Sequence, residues 1–183
     1  MPTSNRPAPG SSAPTLEQAA KIVTEASNDP GWGLFIWLGL TVDVRHDELS
    51  RLRWRDVMPE TRELTVGQRR VVVGEHTSTL LHAYSAHCAA QAAILDVEQL
   101  PDAYVFSLSP EGGTPPEYRL VSERYSCLCS DLGWTMRLDQ LPHYPEAELV
   151  AAGVDVSVFT WRLQRGLSRI QRRPAGRKPA GGC

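Results

Sequence analysis

The sequence predicts a mainly α-helical domain carrying one small antiparallel β-sheet, and three observations predict it. Apolar residues recur at helical spacing along most of the chain, as at Leu16, Ala19, Ala20 and Val23. Only one segment, residues 62–73, switches to the alternation of a strand, with Leu64 and Val66 separated by polar neighbours and Val71, Val72 and Val73 β-branched. The 183 residues are 42% hydrophobic and 22% charged, the balance of a soluble domain with one core.

The elements follow in order. Residues 1–14 are rich in Pro, Ser and Gly and read as a disordered leader. Thr15 and Gln18 form a capping box that starts the first helix, and Asn28, Asp29, Pro30 and Gly31 end it. Residues 32–40 are apolar all round and read as a helix buried in the core. A third helix is expected over 46–53, with Leu49 and Leu52 on one face. A hairpin or meander follows, punctuated by Gly67 and Gly74. An Ala-rich helix is expected over 78–95 and a short strand over 104–108. Pro115 and Pro116 open a further helix that ends near Leu132 and Gly133. Two last helices, 146–152 and 156–164, are separated by Gly153 and Asp155. The domain is thus expected over 15–166, with a basic disordered tail over 167–183.

Charge is unevenly distributed. The net charge is −2, but Arg162, Arg165, Arg169, Arg172, Arg173, Arg177 and Lys178 follow the last acid, Asp155. The rest of the chain carries 12 basic and 21 acidic residues, a net of −9. A basic tail on an acidic body can track nucleic acid or remain solvated without a partner. No apolar run approaches the ~18 residues that span a membrane. The N-terminus has no apolar stretch of a secretory signal, so a cytoplasmic protein is expected. Cys127 and Cys129 lack the two-residue gap usual in zinc sites, and no second pair follows. With Cys88 and Cys183 they read as reduced thiols, and neither a metal nor a cofactor is expected.

One segment narrows the fold. Residues 41–57 read TVDVRHDELSRLRWRDV. Arg45, Glu48, Leu49, Leu52, Trp54, Asp56 and Val57 are spaced as in the first catalytic box of phage-type tyrosine recombinases, the site-specific integrases, and the segment resembles that box. The turn glycine of the pattern is Asp43 here. The resemblance extends over about residues 15–164, with VFSLSP, RYSCLCSDLGW, LDQLPHY and LVAAGVDVSV in the family's order. It implies an integrase catalytic-domain fold, helical with a small sheet after the first arginine. It also implies a role for Arg45. Recombination attacks a phosphodiester, and a planar guanidinium meets two non-bridging oxygens as charge grows on them.

The same resemblance marks what is missing. The second box, His-x-Leu-Arg-His in the family, is Asp139-Gln140-Leu141-Pro142-His143 here. Leu141 and His143 match. Asp139 replaces a histidine with a carboxylate that repels phosphate, and Pro142 replaces the second arginine with a residue lacking both charge and backbone donor. Arg165 stands where a later His or Trp is usual. The hairpin lysine has no candidate, since only Lys21 and Lys178 occur, although Arg69 or Arg70 supplies charge there. No tyrosine follows Tyr144 to serve as nucleophile. Similarity fades near Arg165, so frameshift or decay at that point is the expected origin of the tail. Residues 1–14 do not supply the family's N-terminal DNA-binding domain.

The expectation is a degenerate, truncated recombinase-like protein, inactive on its own. Arg45 and His143 are the expected remnants of the catalytic constellation, facing one concave surface. Double-stranded DNA is the expected partner, bound weakly and without specificity through Arg45, Arg162, Arg165, Arg169, Arg172 and Arg173. The alternative is a non-catalytic DNA-binding protein that modulates an intact recombinase, which would then be a second partner.

Overall fold

The computed structural model of the chain describes residues 13–171. All but the last two residues of the expected leader, and the expected tail beyond Gln171, lie outside the described residues. Seven α-helices and a three-stranded sheet are described: α1 (Leu16–Ala26), α2 (Pro30–Thr41), α3 (His46–Ser50), β1 (Val57–Met58), β2 (Glu63–Val66), β3 (Arg69–Val72), α4 (Glu75–Ile94), α5 (Tyr118–Asp131), α6 (Glu146–Ala151) and α7 (Val156–Gln171). The expected class, mainly helical with a small antiparallel sheet, is the one found.

α2 is the axis of the fold. Asp29 accepts the Trp32 N–H at 3.2 Å and Pro30 occupies the first turn, so the helix starts two residues before the apolar run. Every residue from Trp32 to Leu40 is buried, against α1, α3, α4 and α7. Full burial of Leu34, Ile36, Leu38 and Leu40 contributes about 1.5–3 kcal/mol each. The Trp37 indole N–H donates to Thr77 Oγ1 at 2.7 Å, tying α2 to α4. α1 begins on the Thr15–Gln18 capping box and buries Ala19, Ala20, Ile22, Val23 and Ala26.

The sheet is a meander in the order β1-β2-β3. Glu63 pairs with Val72 and Val66 with Arg69 across a turn in which Gly67 has φ +61°. Leu64 and Val66 point into the core. β1, which pairs Val57 with Leu64, adds a strand ahead of the expected segment.

Other expected boundaries shift as well. α3 ends at Ser50 because the chain turns outward to bridge Arg53 with Tyr104, where the Arg53 guanidinium stacks 4.2 Å from the Tyr104 ring. That single bridge is all that forms of the strand expected over 104–108; the loop is instead gathered by the Ser107 hydroxyl, which donates to the carbonyls of Ser109 and Thr114. α4 starts at Glu75 rather than 78, since the Glu146 carboxylate accepts the N–H groups of His76 and Thr77 at 3.1 and 3.2 Å. Lastly, α7 continues past Gly166 to Gln171, so residues 167–171, expected in the disordered tail, are helical. α7 lies along α4, where His87 Nδ1 meets the Leu163 carbonyl at 3.2 Å.

Candidate functional site

The site forms where α2 ends. The chain leaves α2 at Thr41, passes Asp43 and reaches Arg45, the N-cap residue of α3. The Glu48 carboxylate turns back to accept the Arg45 N–H at 3.1 Å, and Leu49 buries completely. These local contacts hold Arg45 with its side chain in solvent, 75% exposed.

The second segment arrives from across the sequence. After α5, Arg137 leads into a short 3₁₀ turn, Leu138–Gln140, with Leu138 buried. The Tyr144 N–H donates to the Leu40 carbonyl at 2.7 Å, setting this segment against the end of α2. Gly39 makes the approach possible. A Cβ there would stand 3.2 Å from His46 Nε2 and 3.5 Å from Leu141 Cδ1. His143 Nε2 then lies 3.4 Å from Asp43 Oδ1. The two segments carrying the family resemblance thus meet.

Between them lies an open cleft of about 470 Å³ lined by Arg45, His46, Asp47, Tyr118 and Asp139. Arg45 and two further arginines are each engaged by an acid. Arg45 holds Asp47 through two parallel bonds, Nε–Oδ1 3.0 Å and Nη2–Oδ2 2.9 Å. Arg137 holds Asp139 in the same way, at 3.1 and 2.8 Å. Arg69, at the tip of the β2–β3 hairpin, reaches Glu48 at 3.2 Å. Exposed pairs of this kind contribute about 0–1 kcal/mol each to stability. Their main effect here is to neutralise the surface that a phosphate would approach.

His46 is half-buried, with its Nε2 out of solvent. Its Nε2 has no hydrogen-bond partner. Burial holds its pKa below the ordinary imidazole value, and His143 nearby adds to the depression, while Asp139 and Asp47 oppose it.

Each expected site residue can now be located. Arg45 lines the cleft; His143 is not among its lining residues and lies against Asp43, near His46. Arg69 fills the hairpin position where charge was expected, and pairs with Glu48. Arg162 has partners within the fold. Its guanidinium folds back on the end of α1, donating to the Thr24 carbonyl and the Ser27 hydroxyl, because the last carbonyls of a helix attract a cation. Arg165 and Arg169 fall on the last turns of α7. Arg172 and Arg173 lie outside the described residues. Arg137, Asp47 and Tyr118 were missed. The signal for two of them was in the sequence, as the triplets Arg45-His46-Asp47 and Arg137-Leu138-Asp139. Among the described residues no group of three or more His, Cys, Asp or Glu is placed to hold a metal ion, and no helix is long and apolar enough to cross a membrane.

The architecture is a helical body with a three-stranded meander after the Arg45 helix, and it has the fold of a solved recombinase. Among solved structures the chain is similar to XerA recombinase, with a TM-score of 0.56 and 15% identity, covering 96% of this chain and 68% of that one. The likeness is one of fold. No family model and no curated protein sequence matches the chain.

Proposed function

We propose that this chain is a tyrosine-recombinase-like protein that contacts DNA and does not, by itself, cut or rejoin strands. One observation carries the reading. The cleft at Arg45 is lined by the Asp139 carboxylate, where the recombinase pattern has a histidine, and in the sequence Pro142 stands where that pattern has the second arginine. A transition state that accumulates negative charge needs donors aimed at it, and losing one such donor typically costs about 10² to 10³ in rate. A carboxylate in that place adds repulsion. Tyr144, next to His143, is occupied, donating its hydroxyl to the Pro14 carbonyl at 3.0 Å. Contact with DNA rests on the recombinase-like fold, on the exposed arginines of the cleft, and on the basic residues from Arg165 to Lys178.

The test is sequence-tolerant, since it uses supercoiled plasmid. Incubation with the full chain is expected to give no relaxation and no protein-linked DNA on a denaturing gel. Relaxation or a covalent adduct would overturn the reading. Tyr118, the phenol that lines the cleft, would then be the residue to examine, and loss of the adduct in Tyr118→Phe would place the chemistry there.

A further inference from the structure

Two triplets of this sequence fold into the same device. In Arg45-His46-Asp47 and in Arg137-Leu138-Asp139 the guanidinium Nε and Nη2 grip both oxygens of the aspartate two residues on, at 3.0 and 2.9 Å in the first and 3.1 and 2.8 Å in the second. Both aspartates line one cleft, with Arg45 and Tyr118. Arg137 is therefore brought to the rim of the Arg45 cleft, although it lies five residues ahead of Pro142, where the resemblance looks for a second arginine.

A carboxylate and the two non-bridging oxygens of a phosphodiester offer a guanidinium the same planar, two-point acceptor. We propose that Arg45 and Arg137 are the two prongs of a phosphodiester-binding site on this cleft, each masked by its own aspartate standing in for the phosphate, and that the DNA backbone binds by displacing Asp47 and Asp139. The assignment rests on the DNA-contacting reading above. The mask is exchangeable because both pairs are exposed: the arginine side chains are 75% and 66% accessible and the aspartates 48% and 47%. In water such pairs are weakly held, so incoming phosphates compete on nearly equal terms. The remaining acids near the site have partners of their own, Glu48 with Arg69 and Asp43 with His143, so freeing the two aspartates exposes two cations without unpairing others.

The measurement is fluorescence anisotropy of a labelled duplex with the full chain at low ionic strength. Asp47→Asn with Asp139→Asn removes the mask while keeping side-chain shape. This variant is expected to bind about tenfold more tightly, the gain expected from releasing two exposed ion pairs. Its plot of log K against log salt should keep nearly the wild-type slope, since both proteins make the same two phosphate contacts once the aspartates are displaced. Glu60→Gln with Glu98→Gln changes the net charge equally on two exposed, unpaired acids, and is expected to move affinity by less than about threefold. Adding Arg45→Ala and Arg137→Ala to the unmasked variant should abolish the gain and flatten the salt slope by nearly two units, at about 0.9 for each lost phosphate contact. Each single Asp→Asn variant should give part of the gain. Wild type that binds duplex, with the two double variants indistinguishable, would overturn the masked site and leave the DNA-contacting reading standing. Absence of duplex binding in wild type and every variant would overturn both.

Discussion

The two segments that build the cleft reach the same geometry by different means. In the first, residues 43–52, the determinants are close at hand. Glu48 caps the Arg45 N–H, Leu49 and Leu52 bury a few residues on, and Asp47 engages Arg45 from two positions away. In the second, residues 137–146, local order amounts to one 3₁₀ turn. The rest is imposed from far away in sequence. Tyr144 is bonded to Leu40 and Pro14, and Glu146 to the start of α4. The same Arg-x-Asp fork results, so a short motif does not disclose whether it is held locally or by the fold around it. The first segment should resist most changes made elsewhere, whereas the second should depend on remote residues.

The largest effect expected breaks the first segment at its anchor. Leu49 is fully buried, and Leu49→Ala should cost about 2–5 kcal/mol by urea denaturation, the transfer and cavity terms together. A cost below about 1 kcal/mol would mean that α3 is not held by the core.

The next effect probes the second segment through its remote clamp. Glu146→Ala leaves two backbone N–H groups of α4 without their charged acceptor and should cost about 1.5–3 kcal/mol. The loss should concentrate in faster amide exchange at His76 and Thr77. Gly74→Ala should act in the same direction, because a Cβ there would come within 2.3 Å of the Glu146 carboxylate. If amide protection at His76 and Thr77 were unchanged, the clamp would have no role in holding the second segment.

The smallest effect concerns the joint between the segments. His46 has a lowered pKa in the folded chain, by burial first and by His143 second. Above the unfolded-state value of about 6.5 the ring is neutral in both states and stability is unaffected. As pH falls below that value the unfolded state takes up the proton first, so stability declines until the folded-state pKa is passed. Denaturation midpoints measured between pH 7 and pH 5 should therefore fall less steeply in His46→Leu than in wild type. Parallel curves would remove His46 from the account. The aspartates lining the cleft are common to both proteins and cancel in the comparison.

How much of this was readable in advance differs along the same divide. The helix that begins at Thr15, the buried run of α2, the Gly67 hairpin and the place of Arg45 all rest on interactions spanning a few residues, so periodicity and capping reveal them. The strand expected over 104–108 stops at a single bridge, made by Trp54 N–H to the Ala103 carbonyl and Val105 N–H to the Leu52 carbonyl, and beyond it Ser107 closes the loop on itself. Arg162 looked like one more charge in a basic run, yet it caps α1, some 135 positions earlier.

By itself, then, the sequence determined the class of fold, the buried axis, and the presence of an arginine at the start of the short helix that follows that axis, since each follows from neighbours within about two helical turns. Only the tertiary structure decided that Arg137 would stand at the same cleft, that Asp139 would mask it, and that α4 would take its cap from Glu146. Those are contacts between segments whose separation along the chain carries no periodic signal. Their geometry is set by how α2 packs and by the space that Gly39 and Gly74 leave open, which are properties of the assembled core rather than of any window of residues.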